Sequence, residues 1–379
     1  MKKVIVLGSG LVGAPLAKDL AACGMFSVSV ADVSQASLDK LAGIKEINCI
    51  QQDLRDSEKL STLIQSFDYV VNAVPGFMGY ESLKTIIRSK KNCIDIAFFA
   101  EDAGTLHDLA VQNGVCVITD MGVAPGMSHL LTGFAHHQLD ETHKVRIFVG
   151  GLPRERTWPY EYKAVFSPSD VIEEYTRPAR LVENSKVVEK VALSDSEFLY
   201  FPGVGTLEAF NSDGLRSLVK SIKAVHMAEK TLRYIGHIEI MKILRETGFF
   251  GTEPIEVNGH LISPLEFTSK LLFPKWKLEP GEIDITVMRI QVEGMKDGQL
   301  SSYRWDLYDE ADTKSGVHSM ARTTGYAATS ALRMMEKGIF NTAGVYFPEV
   351  VGERSECVDY MLADQSERGI HYSFTKEKF

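Results

Sequence analysis

The chain has 379 residues, 45% of them hydrophobic and 24% charged, which excludes disordered, collagenous and membrane-spanning classes and leaves room for two folded domains. Lys and Arg number 41 against 50 Asp and Glu, and the formal charge of -9 offers no broad attraction to nucleic acid or to an anionic membrane. Five dispersed cysteines, Cys23, Cys49, Cys93, Cys116 and Cys357, form no C-x-x-C pair, which suits buried thiols in a reducing cytoplasm rather than a disulfide framework or a metal site.

From the start of the chain, short apolar runs recur between helical stretches: KVIVLG (3–8), SVSVAD (27–32), INCIQQD (47–53), DYVVNAVP (68–75), NCIDIAF (92–98) and VCVITDMG (115–122). Near-continuous Val, Ile and Cys over four to six residues is the mark of a strand buried on both faces, and the spacers are long enough for crossover helices. The fold class expected is α/β, a Rossmann doubly wound and mostly parallel sheet of six strands in a first domain, 1–126. Segment 144–153 is strand-like, 156–230 is loop-rich with many aromatics, and 231–237 runs directly into the helical pattern IEIMKILRETG. EIDITVMRIQVEG and LSSYRWDLYDE alternate apolar with polar residues across a KDGQ turn and read as a hairpin. This makes 127–317 an inserted α+β substrate and dimerisation domain on an antiparallel sheet, one face of which needs helices or a second subunit to cover it; a homodimer is expected. From His318 the sequence is helical with a stop at Gly338, and 318–379 is expected to return to the first domain.

The first strand ends in G-S-G-L-V-G, with Gly8, Gly10 and Gly13 permitting the tight turn, a close approach of backbone to pyrophosphate, and close packing of helix on strand. Ser9, Leu11 and Val12 complete the turn into a helix whose N-terminus offers free amides to phosphate. Asp32 closes the second strand, 19 residues past Gly13, where a carboxylate accepts from both ribose hydroxyls and repels a 2′-phosphate, so the cofactor expected is NAD. Asp53 closes the third strand, either facing the adenine edge or capping a loop. Asn72, Ala73 and Val74 end the fourth, where the second half of a dinucleotide would lie in a sheet of this topology.

At TDMGVAPGMSHLLTGFA (119–135) the chain resembles the saccharopine dehydrogenase-like family, most closely its lysine 6-dehydrogenase branch. PYEYKAVFS (159–167), GTLEAFNSDG (205–214), LRYIGHIEIMKIL (232–244), MARTTGYAATSALRMMEKGI (320–339) and GVYFPE (344–349) extend the resemblance over essentially the whole chain. It implies an NAD-dependent oxidoreductase that converts L-lysine to the 6-semialdehyde with NADH and ammonia. A saccharopine-forming or -cleaving enzyme is the alternative, and a non-catalytic NAD sensor is a third reading. YTRPARLVENSK (175–186) and SDGLRSLVKS (212–221) depart from the family pattern and bear on substrate identity.

Such chemistry needs a neutral amine, a base that activates water, and a fork of donors for a carboxylate. Arg233 is the candidate carboxylate anchor or else a structural ion-pair partner, with Tyr234 beside it on the strand-to-helix junction. His237 is the candidate acid/base or else a helix cap. Tyr160, Glu161 and Tyr162, with Glu208 and Asn211, hold enough carboxylate for a lysine amine, or else are aromatic packing beneath a loop. His136 and His137 make no convincing metal pair, and no metal is expected.

Overall fold

The computed structural model describes residues 1–379, which divide into two compact units, Met1–Phe134 with Ala321–Ile370 and Ala135–Met320 with His371–Phe379. In chain order the elements are β1 (Lys2–Leu7), α1 (Gly13–Ala22), β2 (Phe26–Asp32), α2 (Gln35–Asp39), β3 (Ile47–Gln51), α3 (Ser57–Ile64), β4 (Tyr69–Asn72), α4 (Gly76–Arg88), β5 (Asn92–Asp95), α5 (His107–Asn113), β6 (Cys116–Ile118) and α6 (Met127–Gln138). There follow β7 (Glu141–Pro153), α7 (Pro168–Thr176), β8 (Ala179–Glu183), β9 (Lys186–Lys190), β10 (Glu197–Phe201), β11 (Gly205–Asn211), α8 (Leu218–Ser221), β12 (Ala224–Tyr234) and α9 (His237–Thr247). A small ribbon, β13 (Ile255–Val257) and β14 (His260–Ile262), precedes α10 (Pro264–Trp276), β15 (Asp284–Lys296) and β16 (Gln299–Glu310). The chain closes with α11 (Ser319–Glu336), β17 (Gly344–Tyr346), α12 (Pro348–Gly352), α13 (Ser355–Ser366) and β18 (Tyr372–Lys378).

The first sheet has seven parallel strands in the order β17-β6-β5-β4-β1-β2-β3. Val4, Ile5, Val6 and Leu7 are wholly buried, as an apolar run covered on both faces must be. The seventh strand is one more than expected. Gly344–Tyr346 supplies it by pairing with β6, a three-residue segment too short to carry a period of its own. The same unit holds its C-terminal helices through a buried charge network. Arg333 of α11, 2% exposed, bonds Asp19 of α1 at 2.8 Å and Asp364 of α13 at 2.6 Å, and Arg368 contacts the same two carboxylates at 2.8 and 3.1 Å.

The second sheet runs β10-β11-β12-β7-β15-β16-β18, with β8 pairing β12 and β9. It is mixed rather than antiparallel, because β7 and β12 run parallel after a long excursion through α7, β8 to β11 and α8. The expected hairpin is β15–β16, turned by Asp297 and Gly298 at φ of 50° and 76°, the left-handed pair a two-residue turn needs. Alternation along the strands sorts side chains onto two faces. Phe210 joins Tyr162, Tyr175 and Trp276 in one apolar cluster, while Leu207, Ala209, Leu232 and Tyr234 join Phe148 and Val287 in another. Residues 371–379 leave the first unit and add β18 along the open edge of β16, so the terminal segment does not return whole to the first sheet as expected. No helix is long and apolar enough to cross a membrane.

Candidate active site

In the first unit the loop after β1 is built by steric necessity. Gly8 sits at φ +99°, where a Cβ would lie 2.5 Å from the Ala73 carbonyl oxygen, and a Cβ on Gly13 would lie 2.2 Å from the oxygen of Gly8. A Cβ on Gly10 would meet nothing within 4 Å, so the protein's own packing does not demand that glycine; the open space is a cradle that a side chain would fill. Asp32 ties this loop to the end of β2, accepting the Ser9 amide at 2.6 Å and the Ser34 amide at 2.8 Å, one on each oxygen. Each oxygen keeps a lone pair for a further donor. Ser9 is 4% exposed, Leu11 is 60% exposed, and Val12 is the residue before α1. Ala73 and Val74 follow β4, with the Ala73 amide donating to Leu7 at 2.9 Å. Gly8, Ser9, Gly10, Leu11, Val12, Gly13, Asp32, Asn72, Ala73 and Val74 thus occupy the ends of β1, β2 and β4 at one edge of the sheet. Asp53 follows β3 at the same edge. Its carboxylate is held by Arg55 at 2.7 Å and held down to about 2 by that bond, and it accepts the Arg55 amide at 3.0 Å, so it caps its own loop.

A carboxyl outside the glycine-rich motif lies at the end of β5. Asp95 is fully buried, accepting from Asn72 Nδ2 at 2.7 Å and Thr119 Oγ1 at 2.9 Å. Burial, with the Asp120 charge adding to it, pushes the carboxyl up to about 7 against the pull of those two bonds. Asn72 also donates to the Gly79 carbonyl at 3.4 Å, and its own Oδ1 has no partner. The available signal was the aspartate interrupting an apolar run in NCIDIAF. Because the unfolded chain releases this proton near pH 4 and the folded chain only near 7, stability is highest below that window. We expect it to fall by an amount on the order of 4 kcal/mol as pH rises through the window. Unfolding free energies of the Asp95→Asn variant at pH 4.5 and 8 should show that fall removed.

In the second unit Arg233 of β12 is 1% exposed and each of its three nitrogens donates internally. Its Nη2 meets Glu174 at 2.7 Å, Nη1 the Leu232 carbonyl at 2.9 Å, Nε the Tyr175 hydroxyl at 3.1 Å, and its carbon lies 4.5 Å from the Tyr162 ring centre. The expected carboxylate anchor is therefore an internal ion-pair partner, since no fork is left to present. His237 opens α9 fully buried, with Nδ1 donating to the Tyr160 carbonyl at 2.7 Å and Nε2 accepting from the Tyr175 hydroxyl at 2.8 Å. Burial, then the Arg233 charge, lowers its pKa to about 3, which holds the ring neutral and removes it from proton exchange near pH 7. Arg233, Tyr175, His237 and the Tyr160 carbonyl form one directed chain of donors.

Tyr162 is 1% exposed beside His237 and Trp276, and its hydroxyl has no partner. Glu208, paired across the strands with Arg233, lies on the same face. Tyr234 and Asn211 do not join them, because a shift of one or three residues along a strand reverses the face. The Tyr234 hydroxyl donates to the Pro153 carbonyl at 2.9 Å, and Asn211 Nδ2 donates to Ser194 Oγ and Asp195, each at 3.1 Å. On that opposite face an open groove of about 440 Å³ is lined by Lys144, Arg146, Asn211 and Lys230 among others. No three His, Cys, Asp or Glu side chains converge as a metal ligand set.

A family profile described as saccharopine dehydrogenase C-terminal domain matches residues 122–370, and one described as saccharopine dehydrogenase NADP binding domain matches 4–118. The chain is 26% identical to bovine (Bos taurus) mitochondrial alpha-aminoadipic semialdehyde synthase over 96% of its own length, but spans only 48% of that protein. It is 23% identical to carboxyaminopropylagmatine dehydrogenase of Synechocystis sp., covering 98% of this chain and 96% of that one. Its fold matches that of apo saccharopine dehydrogenase (L-Glu forming) from Saccharomyces cerevisiae with a TM-score of 0.83 at 20% identity, over 100% of both chains.

Proposed function

The chain belongs to the saccharopine dehydrogenase family, and from that premise we propose that it is a nicotinamide-dependent oxidoreductase acting on a carbon that bears an amino acid's nitrogen. The observation that carries this reading is the Gly8–Gly13 turn, pinned to Asp32 and left open at Gly10. The reaction proposed is oxidation of L-lysine at C6, with water and NAD consumed and 2-aminoadipate 6-semialdehyde, NADH and ammonia formed.

The cradle at Gly10 and the Asp32 carboxylate fit a dinucleotide, and when bound it supplies the hydride acceptor. Asp32 would accept from the ribose hydroxyls while Gly8 and Gly13 keep the loop tight. A carboxylate at that position supports NAD over NADP, since a 2′-phosphate would meet its charge. Asp32→Ala should weaken NAD binding roughly tenfold to a hundredfold while NADP binding changes less, as titration of both coenzymes by calorimetry would read. Equal NAD affinity in that variant would remove the assignment.

Arg233, Tyr175 and His237 act as positioning residues that hold the start of α9 against β12, leaving the substrate's charges to other groups. A second reading, a saccharopine-type enzyme acting on a secondary amine, is supported by the end-to-end match to the Synechocystis protein named for such a conjugate. The five cysteines, all free, suit a reducing cytoplasm. A homodimer remains part of the proposal, with the exposed β18 edge and half-exposed Phe374 as surfaces a second copy could cover; light scattering in solution tests it.

The deciding experiment incubates the protein with NAD or NADP and L-lysine, saccharopine or ornithine, following reduced coenzyme and ammonia together. NADH with ammonia from lysine is the expected result. Reduced coenzyme from saccharopine without ammonia would replace it with the second reading, and silence with coenzyme still bound would favour a sensor.

A further inference from the structure

Glu208 differs from the acids around it. It is 6% exposed, yet the chain provides no hydrogen-bond donor or cation to its carboxylate. The neighbouring acids of the same unit are matched: Glu174 by Arg233 at 2.7 Å, Glu197 by Lys230 at 2.8 Å and Asp213 by Arg180 at 2.8 Å. A carboxylate taken out of water without a partner is costly, so folded proteins pair nearly all of those they bury. A partner missing from the chain is one that a ligand can bring.

The strand beside Glu208 says what kind of ligand. In the β10–β11 register Phe198 stands directly opposite Glu208 and Tyr200 opposite Thr206, which puts both aromatic rings on the face that carries the carboxylate. They are 64% and 66% exposed, unusually open for residues of their size. Aromatic faces beside a mostly buried carboxylate attract a cation on an aliphatic stem, through ring quadrupole and charge together. A carboxylate or phosphate ligand is disfavoured by the same charge.

We propose that Glu208, flanked by Phe198 and Tyr200, is a recognition site for a cationic amine, a primary ammonium or a guanidinium at the end of an aliphatic chain. The inference rests on the oxidoreductase reading only for which molecule carries the cation. Binding of the cation itself needs no turnover.

The test is calorimetry on the full chain with 1,5-diaminopentane and with agmatine, and 1,5-pentanediol as the neutral control. The wild type should bind a cation and ignore the diol. Glu208→Gln should weaken that binding roughly thirtyfold or more, and Phe198→Ala with Tyr200→Ala by a smaller factor, about threefold to tenfold. The Gln variant should melt at the same temperature as the wild type or higher, because it removes an uncompensated charge. A lower melting temperature with unchanged amine affinity would make Glu208 structural and overturn the proposal. So would a wild type that binds neither cation, or one that binds the diol equally. The stronger of the two probes identifies ammonium or guanidinium as the group recognised. Amine binding lost in Glu208→Gln, together with no oxidation of any substrate, would uphold this site and reject the enzymatic reading instead.

Discussion

Arg233→Met should destabilise the protein by about 3–5 kcal/mol, the largest effect expected of any single substitution in the second unit. Its guanidinium is 1% exposed and holds Glu174, Tyr175 and the Leu232 carbonyl at once, so its removal leaves the Glu174 carboxylate, 28% exposed, without its cation and the Tyr175 hydroxyl without a donor. Burial pushes the Glu174 carboxyl up, and the Arg233 charge opposes that, so the loss of Arg233 also favours proton uptake there. A double variant, Arg233→Met with Glu174→Gln, should recover much of the loss, because no charge then remains in the cluster. Urea unfolding of the two variants separates the readings. A residue that anchored a substrate carboxylate would raise KM and leave the unfolding midpoint in place, and that outcome would reverse the assignment made here.

Arg333→Met should cost about 3 kcal/mol or more in the first unit. Arg333 bridges Asp19 of α1 and Asp364 of α13, and Thr329 and Ser330 donate to the same carboxylates. Arg368 still contacts both acids, which limits the loss. Arg333→Lys should recover only a part of it, since one ammonium cannot reproduce a fork that serves two carboxylates. The check is thermal unfolding together with limited proteolysis, which should open the chain first within 337–370. An Arg333→Met variant that loses less than about 1 kcal/mol would show that Arg368 carries the clamp.

Local pattern and tertiary placement divide cleanly along this chain. Apolar runs such as KVIVLG and SVSVAD announced β1 and β2 because a strand buried on both faces leaves no polar alternation. The β15–β16 hairpin was legible in its alternation and in the Asp297–Gly298 turn. Three-residue β17 was not, since a segment that short has no period, and its strand character comes only from the edge of β6. The parallel pairing of β7 with β12 was equally hidden, because it depends on how the intervening 70 residues return, roughly the reach of several elements.

The site shows the same division. Gly8, Gly13 and Asp32 were identified correctly as a turn and a strand end because the requirement on each is local: a positive φ, a close backbone contact, a carboxylate two residues from the Ser34 amide it accepts. Arg233, His237 and Glu208 carried chemistry that residue type suggests but only surroundings assign. Burial turned His237 into a neutral ring with both nitrogens engaged, and it consumed the donors of Arg233. It left Glu208 without a cation and raised Asp95 to about 7.

By itself the sequence determined the two-sheet architecture, the nucleotide turn and the family, since spacing, period and motif order are properties of the chain read along its length. Which charged residues are spent on the fold and which are left for a ligand was decided only by tertiary structure. Partners such as Glu174 and Arg233, or Asp19 and Arg333, lie 59 and 314 positions apart, and their burial fixes both their protonation and their availability.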